Sequence, residues 1–242
     1  MLKAIDKLLG NPITTKNRIS LYGEAEAGKS TLALQIADAI SKKTKRPALI
    51  YDTEGGIHDT LKSFGFGNNL HVWPEQDIKD IMYDHGTEMD IIFGGNITIR
   101  RKAIHDVSQM MQRCKFNKYS CIVYDSWSMP LKLFGGLENF NTRSQVHWMW
   151  DYEVKRIQRK LECVVILLHH SYKPIVEEKN KLPPDPIITG GQPVRYASKY
   201  IIHVERVDAT DNRLLRAARH PQYAPFKYKS IVKLTGKGFV DV

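Results

Sequence analysis

Four short apolar runs punctuate the chain, at residues 18–22, 48–52, 120–125 and 164–169, each rich in Ile, Val, Leu or Tyr. They do not alternate apolar with polar positions, which is the pattern of strands buried on both faces. Between them the spacing becomes helical: residues 30–42 set Leu34, Ala37 and Ile40 on one face, and Val146, Met149, Val154, Ile157 and Leu161 form a second stripe. Strand and helix in alternation predict a parallel sheet covered on both sides. Residues 200–207, 213–219 and 230–234 read as shorter strands joined by turns, an antiparallel extension of the same sheet. Residues 173–193 are rich in proline and charge and too long for an ordinary connection. The expectation is one α/β domain over residues 1–242, a mostly parallel twisted sheet with helices on both faces and a C-terminal antiparallel extension.

Composition narrows the class. With 42% hydrophobic and 26% charged residues among 242, the chain is globular rather than fibrous or disordered. The first ten residues carry Lys3, Asp6 and Lys7, which breaks any secretory apolar core. The longest apolar run, residues 164–168, falls far short of the roughly 20 residues of a membrane span. Three cysteines without a CxxC read as reduced apolar residues. Together these predict a cytoplasmic protein with no membrane partner. The charge is unusual: 36 Lys+Arg against 26 Asp+Glu give +10. Residues 213–237 hold seven Lys or Arg (Arg213, Arg216, Arg219, Lys227, Lys229, Lys233, Lys237) and no Asp or Glu. Lys155, Arg156, Arg159 and Lys160 add a basic edge to one helix. Such a surplus favours an anionic partner.

The chemistry is carried by Gly23-Glu24-Ala25-Glu26-Ala27-Gly28-Lys29-Ser30, which fits GxxxxGK[ST] in full, with Thr31 continuing into a helix. Placed between a strand and a helix, this spacing turns backbone N–H groups inward as an anion nest. Lys29 reaches the β/γ-phosphates and the Ser30 hydroxyl ligates Mg²⁺. Glu24 and Glu26 would repel phosphate and are expected to point outward. Residues 121–125, CIVYD, form an apolar strand ending in Asp125, the Walker B pattern, positioned to hold Mg²⁺ beside the loop. After the strand at 48–52 come Asp52 and Glu54, where a carboxylate could orient and deprotonate a water for in-line attack on the γ-phosphate. The plainer reading makes both of them solvated loop acids before a glycine turn.

The ordered set GEAEAGKS, LIYDTEGG, CIVYDSWS, VVILLHHS and ITGGQPVRYASKYIIHVER resembles the ATPase core of the RecA/RadA recombinases, and especially the core-only paralogs of RadB type. The resemblance implies a RecA-like P-loop NTPase core with ATP and Mg²⁺ as cofactors. It makes Glu54 the water-activating glutamate. It sets His169 and His170, at the end of the fourth core strand, in the place of the family's Asn-Gln pair, with His170 sensing γ-phosphate. Residues 129–141 and 173–192 correspond to the two DNA-binding loops, with Arg143, Lys173, Lys179, Lys181 and Arg195 as candidate DNA contacts. Arg219 falls where the family carries an acidic cap over a neighbour's ATP, and an arginine there could reach phosphate in trans. With the phosphate loop starting at Gly23, no room precedes it for the family's helical DNA-binding domain, so robust self-filaments are not expected. The main expectation is a nucleoid-associated, DNA-dependent ATPase acting on single-stranded DNA in recombination, annealing or repair, as a homo-oligomer or with a recombinase partner. The alternative is an ATP-gated paralog that turns over little and regulates such a partner. A small-molecule P-loop kinase accounts for the loop but not for Glu54 or the basic C-terminal third; a helicase-type motor is closer kin.

Overall fold

All four apolar runs are strands. The computed structural model describes residues 3–9, 17–52, 55–73, 119–127, 154–155, 158–172, 187–188, 198–207, 209–221 and 225–242. In chain order β1 (Arg18–Gly23), β2 (Ala48–Asp52), β3 (Leu70–Trp73), β4 (Cys121–Asp125) and β5 (Val164–Tyr172) lie parallel, in the spatial order β3-β2-β4-β5-β1. Every residue of β1, β2 and β4 is buried; β2 and β4 accordingly carry unbroken apolar runs, while β1 also buries the polar Arg18 and Ser20. Beyond β1 the sheet continues through β7 (Tyr200–Arg206), parallel to β1, and then antiparallel through β8 (Asn212–Arg219), β9 (Lys229–Thr235) and β10 (Gly238–Asp241). The short β6 (Ile187–Ile188) pairs with the end of β5. This is the mostly parallel sheet with an antiparallel extension that the pattern predicts.

Two apolar layers cover the sheet. On one face α2 (Lys29–Thr44) packs Leu32, Leu34, Ile36 and Ile40 over Ile19, Leu21, Ile50, Val123 and Ile166. On the other, Tyr22, Leu49, Tyr51, Tyr124, Trp127 and Leu167 form a cluster that takes in Val154 and is flanked by Leu161, both helical as the apolar stripe requires. The remaining members of that stripe lie outside the described residues.

Besides the two-residue β6, four elements lie outside the pattern's expectations. The helix α1 (Lys3–Leu9) is shorter than the roughly 12 residues an isolated helix needs. Burial of Ile5, Leu8 and Leu9 holds it, and its first N–H groups, of Lys3 and Ala4, donate to the Asp241 carboxylate at 2.9 Å each. The helix α3 (Ile57–Phe64) buries only Ile57. β3 and β10 are four residues long, below the length at which a pattern shows. Among the described residues no helix is long and apolar enough to cross a membrane.

Candidate nucleotide site

The site is built where β1 turns into α2. Gly23 ends β1, and a Cβ there would run into the carbonyl oxygen of Val204 on β7, so only glycine lets the two strands close at this point. Glu26 (φ +59) and Gly28 (φ +91) adopt the left-handed conformation that folds the loop back on itself. Glu24, Ala25 and Glu26 are exposed, so both glutamates face solvent as expected, while Ala27 is buried. The Lys29 ammonium donates to the Glu24 carbonyl at 2.7 Å and so lies across the loop. Ser30 is half-buried and Thr31 buried on the first turn of α2. No side chain caps this helix, which leaves its first N–H groups to an anion. The loop therefore fits a polyphosphate.

Two carboxylates end adjacent strands beside it. Asp52 of β2 and Asp125 of β4 are paired in register and both are buried. Their employment differs. The Asp52 carboxylate accepts the N–H groups of Gly55 at 2.8 Å and Ile57 at 3.0 Å, closing the turn into α3. It is not a solvated loop acid. Asp125 and Ser30 are the residues that could hold Mg²⁺, an ion that takes few protein ligands and keeps its waters. Among the described residues no group of three or more His, Cys, Asp or Glu is arranged as a metal site. Glu54 lies outside the described residues.

The two histidines split between the faces of β5. In register, Tyr22 pairs with His169 and Gly23 with His170. His170 is half-buried beside the first residue of the phosphate loop. His169 is fully buried, with Nε2 3.2 Å from the Ser20 hydroxyl, which is itself 2.6 Å from the Ser198 hydroxyl. Both histidines lie inside β5 rather than at its end. The strand runs on because Ser171 and Tyr172 pair with Ile188 and Ile187 of β6.

The basic run of the C-terminal ribbon is not one solvated surface. Arg213 is only 5% exposed and turns inward. Its Nε donates to the Ala27 carbonyl at 3.1 Å, and its Nη1 to the carbonyls of Thr210 and Asn212 at 3.0 Å each. Burial, and then Arg206 nearby, hold its guanidinium below the usual arginine range. Arg216 is half-buried, paired with Glu205 at 2.9 Å and stacked on Phe226. Arg219, Lys227, Lys229, Lys233 and Lys237 are exposed. On the helical edge Arg159 and Lys160 are exposed and Lys155 is half-buried.

Three residues at the loop were missed by motif reading. Besides Arg213, the Phe239 ring fills the space a Cβ at Gly28 would take. Gln35 of α2 clamps the Phe239 backbone, its Nε2 donating to the carbonyl and its Oε1 accepting the N–H, both at 2.8 Å. A signal for Arg213 existed: it stands in the inward register of an alternating strand, with Leu215 and Ala217. The candidate DNA contacts Arg143, Lys173, Lys179, Lys181 and Arg195 lie outside the described residues.

Residues 2–175 match the AAA-domain family, and the chain belongs to it: the protein is a P-loop ATPase-like protein. Among similar proteins are two named DNA repair and recombination protein RadB. The one from Methanococcoides burtonii is 25% identical over 220 residues, 90% of this chain and 86% of the relative. The one from Methanosphaera stadtmanae is 22% identical over 229 residues, 92% and 87% of the two chains. A crystal structure of the RadB recombinase shares the fold with a TM-score of 0.69 at 19% identity, covering 100% of this chain and 97% of that one. Within the P-loop ATPases the chain falls in the RadB/RadA–RecA recombinase superfamily, with the RecA-like fold.

Proposed function

We propose that the protein is a nucleotide-gated recombinase paralog of RadB type, one domain over residues 1–242 that binds ATP and Mg²⁺, turns ATP over slowly, and regulates a recombinase partner on single-stranded DNA. The observation that carries the reading is the phosphate loop itself. It is complete from Gly23 to Thr31, its glutamates face away, and its helix start is uncapped, in a chain that follows RadB-named proteins over about nine-tenths of its length.

In this reading Lys29 leaves the Glu24 carbonyl for the β/γ-phosphates. Ser30 and Asp125 hold Mg²⁺, which when bound neutralises charge on the phosphates. Glu54 orients the attacking water. With Asp52 already committed to the turn into α3, the water-activating role falls to Glu54 rather than to its neighbour. His170, beside Gly23, reads whether the γ-phosphate is present. A neutral imidazole can still donate one hydrogen bond to a phosphate oxygen.

The test is ATP binding and ATP turnover, each with and without single-stranded DNA, for wild type and Glu54→Gln. Both proteins should bind ATP with similar affinity, and wild-type turnover should stay below about 1 s⁻¹, the low end of ordinary enzymes. Turnover in the ordinary range, stimulated by DNA and lost in Glu54→Gln, favours the second reading, a DNA-dependent ATPase; the complete set of Lys29, Ser30, Asp125 and Glu54 supports that one. Wild type that binds no ATP sinks both.

A further inference from the structure

The GxxxxGKS motif accounts for the loop's own atoms but not for what holds it from outside. Arg213 sits on β8, far along the chain, yet its guanidinium bridges two backbone segments. Nη1 takes the carbonyls of Thr210, in the turn between β7 and β8, and of Asn212, the first residue of β8, and Nε takes the Ala27 carbonyl of the phosphate loop. All three partners are neutral carbonyls. Burial costs this cation hydration that the carbonyl dipoles and the nearby Asp211 carboxylate return only in part, and Arg206 adds like charge.

We propose that Arg213 is a positioning residue of the nucleotide site, which fixes the phosphate loop in its binding form and supplies a buried positive charge behind it. The inference rests on the nucleotide-binding reading. The peptide geometry shows how it acts. In a trans peptide the C=O and the following N–H point in opposite directions. Holding the Ala27 carbonyl against Arg213, on the core side, turns the Gly28 N–H away from the core, toward the mouth of the loop. Gly28 is also where the chain is left-handed, and Phe239 packs against it. The loop is thereby clamped at two successive residues by the C-terminal ribbon. A lysine could restore the charge but not a planar fork that reaches three carbonyls.

The experiment measures ATP affinity by titration and nucleotide-free melting for the full chain as wild type, Arg213→Ala, Arg213→Lys and Lys29→Ala. Arg213→Ala should raise the Kd for ATP by roughly 10-fold or more, the size of a lost charge-assisted hydrogen bond, while still melting cooperatively. Arg213→Lys should recover part of the loss. Guanidinium ion at low millimolar concentration should restore binding to Arg213→Ala and leave wild type unchanged, a response that a purely structural role does not produce. Affinity of Arg213→Ala within twofold of wild type overturns the proposal. So does a loss that tracks the unfolded fraction and is not rescued by guanidinium. If Lys29→Ala binds ATP as well as wild type does, the nucleotide-site reading falls, and this inference falls with it.

Discussion

The parallel half of the sheet and its C-terminal ribbon are made by different rules. In β1, β2 and β4 every residue is buried, and the residues of the candidate site stand at strand ends, at Gly23, Asp52 and Asp125. That is where open α/β sheets bind ligands. In β8 burial alternates along the strand, so one face packs and the other meets water. The ribbon's wet face is basic and apolar together, with Lys229, Ile231 and Lys233 exposed on β9 and Val240 on β10. Its dry face reaches the phosphate loop through Arg213 and Phe239. One half ends at the candidate site, and the other touches its loop from outside.

The two halves meet where β7 runs beside β1, and the sharpest way to break the comparison is at that joint. Gly23→Ala puts a methyl group against the Val204 carbonyl, a backbone atom that cannot swing aside. The expected cost is about 3 kcal/mol, or roughly 6–12 °C in melting temperature for a chain of this size. Gly236→Ala is the control inside the ribbon. A Cβ there meets nothing within 4 Å, and stability should stay within about 0.5 kcal/mol of wild type. Thermal melts of both variants check this. Equal, small effects would mean that the halves are not locked at Gly23.

The pH responses of the two halves should also diverge. In the parallel half, burial pushes the Cys163 thiol up to about 12 and the Cys121 thiol well above its ordinary value near 9. Between about 9 and 12 the unfolded chain has lost protons that the folded chain keeps, so this contribution to stability falls as pH rises through that window. In the ribbon, burial and then Lys199 hold the His220 imidazole below its ordinary 6.5. Below that value the unfolded chain gains a proton that the folded chain refuses, so stability falls as pH drops. Denaturant midpoints at pH 5.5, 7 and 9.5 test both signs. Cys163→Ala should flatten the alkaline slope and leave the acid one, and His220→Gln should do the reverse.

How much of this was legible in the sequence follows from the same contrast. Buried strands announce themselves where four or five apolar residues stand in a row, as in β2, β4 and the first half of β5, a pattern that fits little except a strand packed on both faces. The phosphate loop is contiguous, so its residues are read together; Asp125 joins them because parallel strands align their ends. Elements that bury a single side chain, such as α3 with Ile57, carry no period to read. The extension of β5 past His170 depends on β6, a partner remote in sequence. Asp52 and Glu54, two residues apart, are not told apart by side-chain chemistry alone; the hydrogen bonds that Asp52 accepts from Gly55 and Ile57 give it a structural task. Arg213 was hidden by its neighbours, since a run of basic residues reads as a solvated face until the alternation with Leu215 and Ala217 is followed.

The smallest effect on stability should come from the ribbon's outer face, and it sharpens the division of labour most directly. Lys229 and Lys233 are exposed on β9, and the strand does not depend on their charge. Replacing both, as Lys229→Glu with Lys233→Glu, should change stability by less than about 0.5 kcal/mol and leave ATP affinity unchanged. If the ribbon contacts nucleic acid, the same double variant should weaken single-stranded DNA binding and make its dependence on salt shallower, by about 0.7 in the log–log slope for each phosphate contact removed. Binding measured across a salt series separates the outcomes. A shallower slope assigns DNA to the ribbon, whose inner face already holds the phosphate loop, so that one set of strands would join both ligands. An unchanged slope removes Lys229 and Lys233 from the DNA contacts and leaves the ribbon as a support for the nucleotide site alone.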